Sequence, residues 1–121
     1  IEGDGVMVTR ARENAAANAL GNTEFHTADL ALAEEGWPWL RDVYDLLLID
    51  PPRTGAEAVM TKLAGLHPRK LLYVSCHPGT LARDARQLVW QQGYALEAVG
   101  VMDMFPHTAH IESMALFSRV A

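Results

Sequence analysis

Residues 43–55 read "VYDLLLIDPPRTG", and the fold turns on how this stretch is understood. Leu46, Leu47, Leu48 and Ile49 form an unbroken apolar run. A strand with one wet face alternates apolar and polar residues. An unbroken run is instead the pattern of a strand buried on both faces, as in a parallel sheet covered by helices. Asp50 ends the run, and Pro51 and Pro52 break it, because proline fixes φ and lacks a backbone donor. "RKLLYVSC", 69–76, repeats the pattern and predicts a second buried strand.

Between these strands lies a helix, with Val59, Met60, Leu63 and Leu66 on one face. A further helix follows in "GTLARDARQLVWQQ", 79–92, with Leu81, Ala85, Leu88 and Val89 aligned and Gly93 closing it. Upstream, Asp4 is the candidate N-cap of an alanine-rich helix, "VMVTRARENAAANAL", 6–20, which Gly21 is placed to stop. "TEFHTAD", 23–29, is a short strand candidate. Residues 30–41 stay open, since Gly36 and Pro38 interrupt any helix there. At the other end, "YALEAVGVMDMF" and "HIESMALFSRV" follow one another without a helix, which suggests an antiparallel pair joined around "PHTA". Strand–helix alternation predicts a doubly wound α/β sheet, Rossmann-like in type. A terminal antiparallel pair is the usual ending of methyltransferases that use S-adenosylmethionine.

The bulk properties narrow the function classes. The chain has 121 residues, enough for one core, and an ordinary composition with 50% hydrophobic residues. No stretch is long and apolar enough to span a bilayer. The single cysteine excludes a disulfide framework or a cysteine-rich metal site within these residues, and a lone thiol fits a reducing cytoplasm. A net charge of −5 means that any nucleic-acid role rests on a local cluster or another domain. The opening "IEGDG" reads as the end of a strand entering a helix, so residues 1–121 are expected to be the C-terminal portion of a longer catalytic domain.

In open α/β sheets, ligands bind beyond the carboxyl ends of the strands. Glu2, Asp29, Asp50 and Cys76 all fall at such positions. Each has a plainer explanation: strand-end aspartates cap helices, Glu2 can be a solvated terminal residue, and free cysteines are mostly inert core residues. The stiff Pro-Pro turn holds Asp50 in a defined place, and Arg53 after it suits a phosphate or Asp50 itself. Cys76 precedes Pro78-Gly79-Thr80, close to a helix N-terminus whose partial positive charge favours an anion. His107, His110 and Glu112 invite a metal reading, but a turn between two strands assures no convergence, and the histidines are read as shaping that turn. Glu112, near the start of the last strand, is a candidate proton acceptor.

Taken in order, "LLLIDPPRTG", "LLYVSCHPGTLARD" and "DMFPHTAHIESMALFSR" resemble the RNA (uracil-5-)-methyltransferases across essentially the whole chain, and the ribosomal RNA enzymes in particular. The resemblance implies that Cys76 is the nucleophile that adds to uracil C6 and Glu112 the base that removes the C5 proton. It implies that Asp50 lies near both cofactor and base, that Glu2 holds the ribose hydroxyls of S-adenosylmethionine and that Asp29 lies near the adenine. Arg53 and His77 are expected to face the substrate; many relatives carry asparagine at the latter position. A glycine-rich cofactor loop, an RNA-binding region and, in some members, an iron–sulfur cluster are expected upstream of Ile1, and this segment alone is expected to be inactive. Arg53, Arg69, Lys70, Arg83 and Arg86 are a modest local contribution to RNA affinity. RNA is the expected partner, ribosomal ahead of transfer RNA. The alternatives are a transfer RNA uridine-5-methyltransferase, an RNA cytosine-5-methyltransferase and a non-catalytic RNA-binding remnant of the fold.

Overall fold

The computed structural model describes residues 1–32, 36–41 and 43–120. Four strands form one sheet: β1 (Leu46–Ile49), β2 (Lys70–Ser75), β3 (Tyr94–Met102) and β4 (Glu112–Arg119), in the order β1-β2-β4-β3. β1 and β2 are parallel, with Leu47 paired to Leu71 and Ile49 to Tyr73. β4 runs antiparallel between β2 and β3, pairing Leu71 with Phe117 and Ser75 with Ser113. The expected terminal antiparallel pair is therefore present, and its last strand lies inside the sheet.

Three α-helices accompany the sheet: α1 (Gly5–Ala17), α2 (Glu57–Leu66) and α3 (Pro78–Gln91). α2 and α3 pack on one face. Leu71, Tyr73, Phe117, Met60 and Leu88 are each 0% exposed and form the centre of the core, with Ile49, Leu81, Tyr94 and Ala115 around them. The side chain of Leu63 lies outside the described ones.

The second face is different, and it corrects the expectation of strands buried on both sides. Leu46 and Leu48 are 59% and 60% exposed. Leu72, Val74, Met114 and Leu116, on the same face by register, are only half-buried. Among the described residues no helix packs against this face. The apolar run therefore records a strand suited to burial on both sides, while cover is present on one.

The N-terminal expectations also shift. Asp4 does cap α1, its Oδ1 accepting from the Val6 amide at 2.8 Å. The helix ends at Ala17 rather than at Gly21, with Asn18 as C-cap and Ala19 in the left-handed region at φ 56°. The 23–29 strand reduces to a single parallel bridge between Glu2 and Thr27. A ladder needs a partner of similar length, and only Ile1–Gly3 lies alongside. A 3-10 turn at Pro38–Arg41 is what forms between Gly36 and β1.

Candidate active site at the carboxyl ends of the strands

Alternation along each strand carries the chemistry-bearing residues to one place. Asp50 follows Leu46 and Leu48 on the open face, just past the end of β1. Cys76 follows Leu72 and Val74 on the same face, just past the end of β2. Glu112 opens β4, two residues before Met114 on that face. The last paired rung joins Ser75 to Ser113, and Cys76 and Glu112 are the residues next to that rung, both on the same side of it. The thiol of Cys76 is free and half-buried, Glu112 is half-buried, and Asp50 is exposed. A thiol just past the end of β2, a carboxylate at the start of β4 and a second carboxylate just past the end of β1 can together serve a covalent addition followed by proton removal.

The turn after Cys76 is built by hydrogen bonds. Pro78 is the first residue of α3, where a missing amide hydrogen costs nothing. His77 is the N-cap: its Nδ1 accepts from the Thr80 amide at 3.2 Å. Asparagine is among the preferred N-caps, and histidine here takes the same capping place. That use engages the Nδ1 of His77 within its own turn. The Ser75 hydroxyl accepts from the His77 amide and donates to the His77 carbonyl, both at 3.0 Å, which tightens the backbone around Cys76.

Arg53 reaches across the crevice. Its Nη1 lies 3.5 Å from His110 Nδ1, and His110 meets Phe105 edge-on at 6.3 Å. This links the turn after β1 to the loop between β3 and β4. His107 is in the left-handed region at φ 66°, consistent with a turn-shaping role. Among the described residues no group of three or more His, Cys, Asp or Glu is gathered to hold a metal ion.

Other sequence expectations land differently. Arg83 is committed to an ion pair with Asp84 at 2.7 Å and lies 3.7 Å from Glu57; Lys70 lies 3.4 Å from Glu97. Glu2 accepts from the Asp4 amide at 3.0 Å, and Asp29 accepts from the Ala31 amide at 2.9 Å, each a local turn contact with the residue two ahead. Glu2 and Asp29 are neighbours, since the Ala28 amide donates to the Glu2 carbonyl at 3.0 Å. Among the described residues the hydrogen bonds of 1–32 stay within that segment, so the pair is not tied to the Cys76 crevice.

Asp84 went unnoticed in the sequence. It is 1% exposed, and its Oδ2 accepts from the Tyr73 hydroxyl and the Ala56 amide, both at 2.7 Å. The Tyr73 pKa is raised, by burial first and by the Asp84 hydrogen bond second. The Arg83 pKa is raised as well, chiefly by its hydrogen bond to Asp84. The signal available in the sequence was a charged residue on the otherwise apolar face of α3, one turn after Leu81 and Thr80.

Comparison with known proteins bears on this arrangement. The sequence profile of the tRNA (uracil-5-)-methyltransferases matches residues 40–120. A curated protein of Xylella fastidiosa, 23S rRNA (uracil(1939)-C(5))-methyltransferase RlmD, is 56% identical over 119 residues, covering 98% of this chain and 27% of that protein. The protein of the same name from Alkalilimnicola ehrlichii is 54% identical over 121 residues, again 27% of its length. The chain thus spans about a quarter of the curated relatives it matches. Among solved structures, Pyrococcus abyssi tRNA (uracil-54, C5)-methyltransferase in complex with S-adenosyl-L-homocysteine superposes with a TM-score of 0.75 at 31% identity, over 95% of this chain and 27% of that one.

Proposed function

The chain belongs to the tRNA (uracil-5-)-methyltransferase family, and on that premise we propose that it is the part of such an enzyme that carries the covalent chemistry at C5 of a uridine in RNA. The observation that supports this most is the register: Cys76 and Glu112 stand next to the last paired rung of adjacent strands, Ser75–Ser113, and Asp50 follows the end of the neighbouring β1.

Uracil C5 is a weak nucleophile toward a sulfonium methyl group. The Cys76 thiolate adds to C6, forming an S–C6 bond and pushing the ring electrons into an enolate, which makes C5 nucleophilic. Once C5 carries the methyl group, Glu112 accepts the C5 proton, and the electron pair left behind expels Cys76 and restores the C5–C6 double bond. Asp50, beside the crevice, orients the ring, and Arg53 faces the phosphate backbone. The target base leaves its stack to bring C6 within reach of the sulfur.

The residues present fit part of a cofactor site for S-adenosylmethionine. Glu2 and Asp29 are exposed carboxylates on adjacent segments, acceptors of the kind that ribose hydroxyls and an adenine amino group need. When bound, that cofactor supplies an electrophilic methyl group. The names of the two bacterial relatives favour ribosomal over transfer RNA as the substrate.

The test uses a chimera in which this segment replaces the matching quarter of the Xylella fastidiosa relative. The chimera is expected to methylate uridine and not cytidine in matched RNAs. Cys76→Ala is expected to abolish turnover. Glu112→Gln is expected to accumulate methylated RNA still joined to protein. Turnover by the Cys76→Ala chimera at the parent rate removes the mechanism, and Glu112→Gln without accumulation leaves Glu112 a structural role.

A further inference from the structure

The turn that follows Asp50 is tied to α3 by three successive bonds. The Thr80 hydroxyl donates to the Arg53 carbonyl at 3.1 Å. Arg83 Nη2 donates to the Thr54 carbonyl at 3.0 Å. Asp84 Oδ2 accepts from the Ala56 amide at 2.7 Å. Arg83 is itself oriented by Asp84, whose Oδ1 accepts from Nε at 2.8 Å. Asp84 also grips β2 through the Tyr73 hydroxyl, three residues before Cys76. One buried carboxylate therefore joins the element that ends in Asp50 to the element that ends in Cys76.

Gly55 shows how closely the turn is held. Its φ is +86°, and a Cβ there would stand 2.5 Å from Arg83 Nη2 and 2.7 Å from Asp84 Oδ2. Neither the backbone conformation nor the space admits a side chain. Tyr73 and Asp84, the buried centre of this network, are 0% and 1% exposed. The stiff Pro51-Pro52 pair on one side and the three tethers on the other leave the Asp50–Arg53 turn little freedom.

We propose that Asp84 is a positioning residue for the methyl-transfer chemistry. It sets the distance between the Asp50–Arg53 turn and Cys76 by holding Ala56, Arg83 and Tyr73 at once, and Thr80 completes the clamp. This rests on the reading of Cys76 as the nucleophile. Removing the clamp slows addition to the base without abolishing RNA binding, since misplacement by about 1 Å costs on the order of 100-fold in rate.

Asp84→Asn discriminates well. An amide oxygen can still accept from Ala56 and Tyr73, but the NH2 group then faces the Arg83 guanidinium, donor against donor. In the chimera, the rate of adduct formation with 5-fluorouridine RNA under single-turnover conditions is expected to fall roughly 10- to 100-fold, with KM for RNA changed by less than about 3-fold. Thr80→Val, which removes the hydroxyl that reaches both the Arg53 carbonyl at 3.1 Å and the His77 carbonyl at 3.0 Å, is expected to slow the same step by a smaller factor. A role confined to stability lowers the melting temperature and leaves both rates at the parent value. Folded Asp84→Asn reacting at the parent rate overturns the proposal. If that variant does not fold, Thr80→Val decides: a slower adduct rate supports the clamp and an unchanged rate overturns it. The parent chimera keeps the two claims separate, because its failure to form any adduct counts against the nucleophile rather than against Asp84.

Discussion

The two faces of the sheet are made from the same strands and divide the labour between them. On the closed face Leu71, Tyr73 and Phe117 are fully buried under α2 and α3, and the Asp84 network lies among them. On the open face Leu46 and Leu48 are more than half exposed; Asp50 follows their strand, Cys76 follows β2, and Glu112 opens β4. The closed face therefore supplies rigidity, and the open face presents the groups proposed to react. A group meant to meet a macromolecular substrate has to be reachable, but its neighbours must not move.

Four substitutions in the 121-residue chain, followed by denaturant unfolding, sharpen or break that division. Leu71→Ala empties a site that is 0% exposed and is expected to cost about 2–5 kcal/mol. Gly55→Ala forces a side chain into a left-handed backbone against Arg83 and Asp84; strain of this kind costs on the order of 1–3 kcal/mol. Tyr73→Phe removes one donor to a buried carboxylate, and about 1–2 kcal/mol is expected. Leu48→Ala, on the open face, is expected to change stability by less than about 0.5 kcal/mol. Equal losses at Leu48 and Leu71 would mean that the faces are alike and the comparison is wrong.

A pH scan gives a finer test of the closed face. The Tyr73 and Tyr94 pKa values are raised above the ordinary tyrosine value, burial being the first cause in each. A raised pKa in the folded state means that the folded form holds its proton longer than the unfolded one. The stabilisation is therefore complete below the unfolded value, near pH 10, and is lost as pH rises from there toward the folded value. Melting temperature is expected to decline above about pH 10, and Tyr73→Phe to flatten part of that decline. An alkaline limb unchanged by Tyr73→Phe would show that the Asp84–Tyr73 bond carries no pH-dependent stability.

Much of this was legible in the sequence because local chemistry and fold agree. The apolar runs at 46–49 and 70–75, the Pro-Pro break and the two amphipathic helices each point to one structure. Asp50 and Cys76 stood out in the sequence because each follows an apolar run, and Glu112 because it stands near the start of the last strand. What escaped depended on partners distant in the chain. The exposure of Leu46 and Leu48 follows from what packs on them, which their own pattern cannot tell. Ala19 rather than Gly21 ends α1 because the terminal carbonyls of the helix meet the Asn18 and Leu20 amides first. Asp84 was hidden because a charged residue in a helix usually faces water; its value lies in Ala56, 28 residues away, and in Tyr73. Arg83 looked like a free cation for the same reason.

The account stands on the sulfur of Cys76 being the atom that bonds the base. Intact-mass measurement of the chimera incubated with 5-fluorouridine RNA and S-adenosylmethionine, followed by digestion and peptide mapping, reads this directly. A fluorine at C5 cannot leave as a proton does, so the adduct should persist, with the nucleotide mass on the peptide that contains Cys76. No adduct from a protein that methylates ordinary uridine, or an adduct on any other residue, would contradict it.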